Sequence, residues 1–483
     1  MAYQPVIFRE YDIRGVFNEQ FDLKFTEDLG RAVVSYFLKK KGVRSPKITI
    51  GRDARLSSPD IVTALSKGVR ESGGSVVQLG LVTTPISYYS TFVLNISGSL
   101  MVTGSHNPPS YNGFKISIGK STIFGDEIQA LKKIIEEGDF VKPQALGDET
   151  QYNILPQYVA RYHDEFGKLE PVPFVLDCGN GAAGCVTRAL FESVGLKPKI
   201  LFENPDGTFP NHHPDPTVEK NLRALAAAVR ETKSMVGIGF DGDADRIGIV
   251  DETGCQVLGD ELMALYSRFI LEKLPKSKII GDVKCSDRLY DYIRKYGGEP
   301  IMWKTGHSLI KEKVKLEGAP FGGELSGHVF FADRNYGYDD ALYAALRVVE
   351  ILSTTGKTIR ELLRDLPPSF NTPEIRIDTT EEKKLSIVEA IRAHFAEKSQ
   401  QYKVNLIDGI RISFADGWAL ARPSNTQPVL VLRFESSTEA GLARIRKQIE
   451  SIVTPLYSYA ADLLRFEESK TASKVLFLLT ARR

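Results

Sequence analysis

Three times in the first 250 residues a short apolar run breaks straight into a polar loop punctuated by glycine. Leu100 to Val102 runs into TGSHNPPSYNGFK, Pro173 to Asp177 into GNGAAG, and Met235 to Phe240 into DGDADR. Short buried strands that end in such loops restrict the chain to α/β domains, with chemistry placed where the strands stop. One β-α-β unit is legible in full. It has a strand from Lys47 to Asp53, a helix from Ser57 to Ser72 with Ile61, Leu65 and Val69 on one face, and a strand from Ser75 to Leu79. A further helix, Pro85 to Leu94, leads into the strand before the first loop.

At 483 residues, 42% of them apolar, the chain exceeds what one hydrophobic core organises. Its punctuation divides it at 1–150, 151–256, 257–367 and 368–483, with breaks in the polar Val141 to Thr150 segment and at Leu366-Pro367-Pro368. In the third part a helix is expected from Glu261 to Leu274 and a strand from Ile279 to Val283. The last part reads differently, as strand, helix (Lys383 to Ser399), several strands and a closing helix (Thr438 to Ile452). The fold class expected is α/β: three similar mixed α/β domains followed by a smaller α+β domain. Lys plus Arg, 62, nearly cancels Asp plus Glu, 61, so no basic field for nucleic acid exists. No apolar run reaches the ~18 residues of a membrane span, and a cytoplasmic protein is expected. Cys178, Cys185, Cys255 and Cys285 form no C-x-x-C pair and read as reduced, mostly buried thiols.

The first loop sets Ser105 in an exposed position between Gly104 and His106, stiffened by Pro108 and Pro109 and turned at Asn112-Gly113 toward Lys115. A hydrolase elbow does not fit, since Thr103 and Asn107 stand where G-x-S-x-G needs glycine. In DGDADR, Asp241, Asp243 and Asp245 alternate with small residues, so three carboxylates can converge, and such a set repels itself without a cation. Oxygen ligands suit Mg²⁺ or another hard ion. An EF-hand fails at its sixth position, where Arg246 replaces glycine. Gly179, Gly181 and Gly184 meet G-x-G-x-x-G, with Glu203 placed as a ribose-binding acid would be. In GGELSGH, Glu324, Ser326 and His328 alternate, and an extended loop would present acceptor, hydroxyl and imidazole on one side for sugar hydroxyls. In RPSNTQP, Arg422 can fork onto a phosphate while Ser424, Asn425 and Thr426 add short donors.

These loops, in order, resemble the serine, metal, sugar and phosphate loops of the α-D-phosphohexomutases, the family of phosphomannomutases and phosphoglucomutases, over residues 5 to 460. The pattern TGSHNPP-x-x-NG-x-K is met at every fixed position and DGDADR letter for letter. GELSGH, with DVKC (Lys284) and KTGH (His307), is closest to the bifunctional phosphomannomutase/phosphoglucomutase branch. Pro423 and Gln427 depart from the family, and the tail ending VLFLLTARR runs past its usual end. The resemblance implies four domains around a central active-site cleft, with Ser105 carrying a phosphoryl group. Tyr11 and Arg14 of FREYDIRG would face the site, and Mg²⁺ would be held by Asp241, Asp243, Asp245 and phosphorylated Ser105. Hexose 6-phosphate and hexose 1-phosphate, of mannose and glucose, would interconvert through a 1,6-bisphosphate, with glucose 1,6-bisphosphate as activator. Tyr11, Lys284, His307, Glu324, Ser326, His328 and the Arg422 loop would bind substrate. Charge stabilisation and proton transfer would be shared among Arg14, Lys115, Lys284, His307 and His328. The expected partners are small hexose phosphates, with no nucleic acid or membrane, and a monomer. Two rivals are a nicotinamide-dependent oxidoreductase built on GNGAAG and a non-catalytic sugar-phosphate sensor.

Overall fold

The computed structural model describes residues 3–143, 145–396, 401–424 and 429–456. It divides into two compact units, Met1–Leu366 and Pro367–Arg483.

The first unit holds three sheets. In the first, Lys47–Arg52 pairs in parallel with Ser75–Leu81 and Gly98–Val102, and Tyr111–Ile118 runs back antiparallel between Gly98–Val102 and Ile13–Val16. Ile48, Ile50, Leu100 and Val102 are buried, as strands covered on both faces must be. The helix Ser58–Glu71 takes Pro59 in its first turn and buries Ile61, Leu65 and Val69, the stripe its spacing predicts. In the second sheet Phe174–Asp177 lies parallel to both Lys199–Leu201 and Val236–Phe240, and Ile247–Asp251 folds back antiparallel on Val236–Phe240. The third places Lys278–Asp282 between Glu299–Trp303 and Phe321–Gly323, with Val329–Phe331 as the returning arm of a hairpin. Each of the first three site loops thus leaves the end of an inner strand. One apolar cluster runs from Val77 to Leu362 through all three sheets, so these domains share a core.

One carboxylate inside that shared core is fully engaged. Asp340 caps the helix Ala341–Thr355 through Tyr343 N–H and accepts the hydroxyls of Tyr158 and Tyr162, the latter at 2.8 Å. Burial still pushes its carboxyl up to about 6.

In the second unit Val429–Ser436, Gly417–Pro423, Ile410–Phe414 and Lys403–Asn405 form successive antiparallel pairs, and Ile375–Asp378 joins the other side of Val429–Ser436. The helices Glu381–Ala396 and Glu439–Val453 contribute to a separate core with Ile377, Ile412 and Leu432. Among the described residues no helix is long and apolar enough to cross a membrane. The tail ending VLFLLTARR lies outside the described residues.

Candidate active site

A buried ion pair holds the serine loop. Asp53, next after the strand Lys47–Arg52, accepts Arg55 N–H, Arg55 Nε, Ser58 Oγ and Thr103 Oγ1. Arg55, whose side chain is fully buried, donates to the carbonyls of Ser105 (2.9 Å), Asn107 (2.6 Å), Pro108 (2.5 Å) and Tyr111 (2.9 Å). One guanidinium therefore ties down both ends of SHNPPSY. With this support Ser105 keeps a left-handed backbone, φ 48°, a conformation that a non-glycine residue holds only when its surroundings impose it.

Ser105 is not exposed, as its loop punctuation suggested: only 2% of its surface is open. The reason lies in another domain. The DGDADR turn, closing the hairpin between Val236–Phe240 and Ile247–Asp251, sits against it, and Ser105 Oγ donates to Asp241 Oδ2 at 2.8 Å. His106 Nδ1 lies 3.1 Å from the same hydroxyl. Burial, aided by the cations Arg246 and Arg14, keeps His106 well below its ordinary pKa, so it is neutral.

Asp241, Asp243 and Asp245 are all buried, and each offers an oxygen within 4.8 Å of the others. Asp241 Oδ1 accepts the N–H groups of Asp245 and Arg246, both at 3.1 Å. Lys115 Nζ donates to Asp243 Oδ2 at 2.9 Å and to Asp245 Oδ2. Burial, with Asp243 and Asp245 alongside, raises the Asp241 carboxyl well above the usual range. Burial would raise Asp243 too, but Lys115 outweighs it and brings that carboxyl below its ordinary value. Lys115 is held charged in return: burial would discharge it, yet the two aspartates lift its pKa well above normal. Lys115 is the side-chain cation hydrogen-bonded to this set among the described residues, with Arg246 and Arg14 acting on it as well. Two buried oxygens, Asp243 Oδ1 and Asp245 Oδ1, have no hydrogen-bond partner among the described residues. Orphaned oxygens in an oxygen-only donor set fit a hard divalent cation. A second group, Asp245, His328 and Asp339, meets the same spacing. In it His328 Nδ1 lies 2.9 Å from Asp339 Oδ2 and 3.7 Å from Asp245 Oδ1, while Arg246 Nε donates to His328 Nε2 (2.9 Å) and Lys311 Nζ to Asp339 Oδ1 (3.1 Å).

The sugar-loop residues lie on the same network. His328 is 3.7 Å from Asp245 and stacks on His307 with ring centroids 5.4 Å apart. Tyr11 packs edge-on against His307 and donates its hydroxyl to Thr305 O at 2.7 Å. Arg14 donates to Asn107 Oδ1 (2.7 Å) and pairs with Asp12. Lys284 is buried 3.8 Å from Asp282. GELSGH is not the extended run that its alternation predicts. It is a hairpin turn, closed by Glu324 N–H to His328 O (2.9 Å) and Gly327 N–H to Glu324 O (3.0 Å), with Gly327 at φ 87°, a conformation open to glycine. Glu324 and His328 are thereby directed to Gly306 N–H (2.6 Å) and Arg246, while Ser326 is half-buried at the tip. Burial raises the Glu324 carboxyl.

The glycines of GNGAAG serve packing. A side chain on Gly184 would overlap the carbonyl of Glu203, and Ala182 N–H donates to Gly242 O of the aspartate turn at 2.9 Å. The Glu203 carboxylate is paired with Arg188. In the second unit Arg422 donates to Asp408 Oδ2 at 3.1 Å and Ser424 N–H to Val429 O at 2.9 Å. Asn425 and Thr426 lie outside the described residues. Asp53, Arg55, Thr84, Arg246 and Asp339 complete the network without having been singled out as site residues. An Asp-x-Arg directly after an apolar strand, followed by two serines, was the available signal for the first two.

Four family models match the chain in sequence. They are phosphoglucomutase/phosphomannomutase alpha/beta/alpha domain I at residues 5–142, domain II at 157–254, domain III at 258–370 and the C-terminal domain at 374–452. A phosphomannomutase/phosphoglucomutase of Pseudomonas aeruginosa is 42% identical over 456 residues, covering 93% of this chain and 96% of its own length. A phosphoglucomutase of Neisseria gonorrhoeae is 40% identical over 449 residues, covering 92% of this chain and 96% of its own. The crystal structure of a phosphoglucomutase/phosphomannomutase family protein from Burkholderia thailandensis superposes with a TM-score of 0.87 at 40% identity, over 94% of this chain and 98% of that one.

Proposed function

This chain belongs to the phosphoglucomutase/phosphomannomutase family, and from that premise we propose that it moves a phosphoryl group between C6 and C1 of glucose and mannose phosphates, with Ser105 as the carrier. The observation that carries this reading is Ser105 Oγ bonded to Asp241 at 2.8 Å, beside two buried, unpartnered carboxylate oxygens and one charged lysine. The Ser105 proton is directed to Asp241 and not to His106, 3.1 Å away, so the serine-to-histidine relay of an acyl-transfer enzyme is not formed. The hydroxyl is well placed to hold a phosphoryl group among balanced charges.

Asp241, Asp243 and Asp245, with phosphorylated Ser105, would hold Mg²⁺, which when bound neutralises charge on the transferring phosphoryl oxygens. The residues of the chain do the rest. Glu324, Ser326 and the two histidines orient the sugar, and the Arg422 loop with Ser424, Asn425 and Thr426 is the phosphate-binding loop of this reading. As the substrate hydroxyl attacks, its bond to phosphorus forms and the bond from phosphorus to Ser105 Oγ breaks. The hydroxyl proton leaves to a neighbouring base and Ser105 Oγ regains one, with Arg14, Lys115, Lys284, His307 and His328 placed to supply positive charge or a proton. The product of this half is a 1,6-bisphosphate. It must turn end for end, so that its other phosphate returns to Ser105. Glucose 1,6-bisphosphate then serves as activator of any enzyme left without its phosphate.

Intact-mass measurement before and after substrate tests the carrier. Purified protein should show a fraction heavier by one phosphoryl group, and Ser105→Ala should lose most turnover yet still bind hexose phosphate. A protein with no phosphorylated form, whose Ser105→Ala variant turns over normally without bisphosphate, would not be this mutase.

A further inference from the structure

The helix Thr84–Val93 packs with the first sheet, yet its first residue is bonded to the aspartate turn of the second. Thr84 N–H donates to the backbone carbonyl of Asp243 at 2.9 Å, and Thr84 Oγ1 donates to Asp243 Oδ2 at 2.6 Å. Lys115 Nζ donates to that same Oδ2 at 2.9 Å. Thr84 is wholly buried, and its place is set by the helix start: Thr83 caps the helix through Ile86 N–H and Pro85 fixes the first turn. Two donors on Oδ2 leave Asp243 Oδ1 buried and without a hydrogen-bond partner among the described residues, as is the Oδ1 of Asp245, 3.7 Å from His328 Nδ1.

A carboxylate free to rotate about its last bond presents either oxygen, or neither, in a given direction. Lysine alone would not prevent this, because a flexible ammonium follows the oxygen that it pairs with. A hydroxyl on a fixed helix start cannot follow. We infer that Thr84 is a positioning residue for the cation site: its hydroxyl locks the Asp243 side chain with Oδ1 turned inward, and its N–H locks the backbone of the turn. This deepens the metal reading above and rests on it. Donors of this kind behind metal-binding carboxylates govern affinity for the ion by about 10- to 100-fold.

The test is a titration of the full-length protein with Mn²⁺ alone, read as the loss of free-ion signal in electron paramagnetic resonance, without any turnover. Thr84→Val removes the hydroxyl at nearly constant shape and keeps the N–H bond that ties the two domains. It should bind Mn²⁺ about 10- to 100-fold more weakly than the wild type, while Thr84→Ser, which restores the hydroxyl, should bind within threefold of wild type. If Thr84→Val does not fold, Thr84→Ala is judged on the same titration. Wild-type affinity in Thr84→Val or Thr84→Ala, with Asp243→Asn binding weakly, overturns the role of Thr84 and leaves the metal site standing. No binding by the wild type, or full binding by Asp243→Asn, removes the metal reading itself.

Discussion

A single buried guanidinium governs how Ser105 is presented. Arg55 bonds four carbonyls of the serine loop from one planar group, a geometry an ammonium cannot copy. Arg55→Lys keeps the charge and loses the fork, so the loop should shift by about 1 Å. Steady-state turnover is expected to fall about 100-fold, the usual result of such a misplacement, and a kcat within threefold of wild type would contradict the argument. At this scale the serine, aspartate and Glu324 loops could be picked out because each carries its chemistry in adjacent letters. Their supports could not. Arg55 is about 50 positions from the carbonyls that it bonds, and Thr84 is 159 from Asp243, so no local pattern joins them.

Helices and strands followed from spacing, and the errors came where one element meets another. The helix expected over Ser57 to Ser72 spans Ser58–Glu71, because its apolar stripe and its proline are local signals. The burial of Ser105 depends on a turn from a different domain, and the hairpin at Glu324 depends on one glycine dihedral, neither of which alternation of residue types encodes. Two expectations belong here. Gly184→Ala forces the helical turn Ala182–Cys185 away from the carbonyl of Glu203. It should destabilise the fold by about 1–3 kcal/mol, read as a lower denaturant midpoint. Asp340, at the start of Ala341–Thr355, has a carboxyl raised to about 6 by burial. A raised carboxyl binds its proton more tightly when folded, so its stabilising contribution is complete below pH ~4 and is lost as pH rises through about 6. The stability of wild type relative to Asp340→Asn should therefore decline between pH 4 and 7, by no more than about 3 kcal/mol. Unfolding midpoints of both proteins across that range check the sign.

At the scale of the whole molecule, the proposed reaction requires one site to accept a bisphosphate in two orientations, which favours recognition of features common to both. Turnover of glucose 1-phosphate and mannose 1-phosphate, epimers at C2, should accordingly lie within about a thousandfold of one another, ~4 kcal/mol of transition-state discrimination. Coupled assays of both sugars, primed with a trace of bisphosphate, measure the ratio. The shared core of the first unit has a different kind of consequence. Val77, Tyr88 and Tyr89 of the first domain pack in the cluster that also contains Tyr338, Leu352 and Leu362. During synthesis at about 5–20 residues per second, roughly 15 to 60 seconds separate the emergence of the first of these side chains from that of the last. For that interval an aromatic face of the nascent chain has no completed partner, so the ribosome-bound intermediate, rather than the finished enzyme, is the form most exposed to aggregation and most in need of a chaperone.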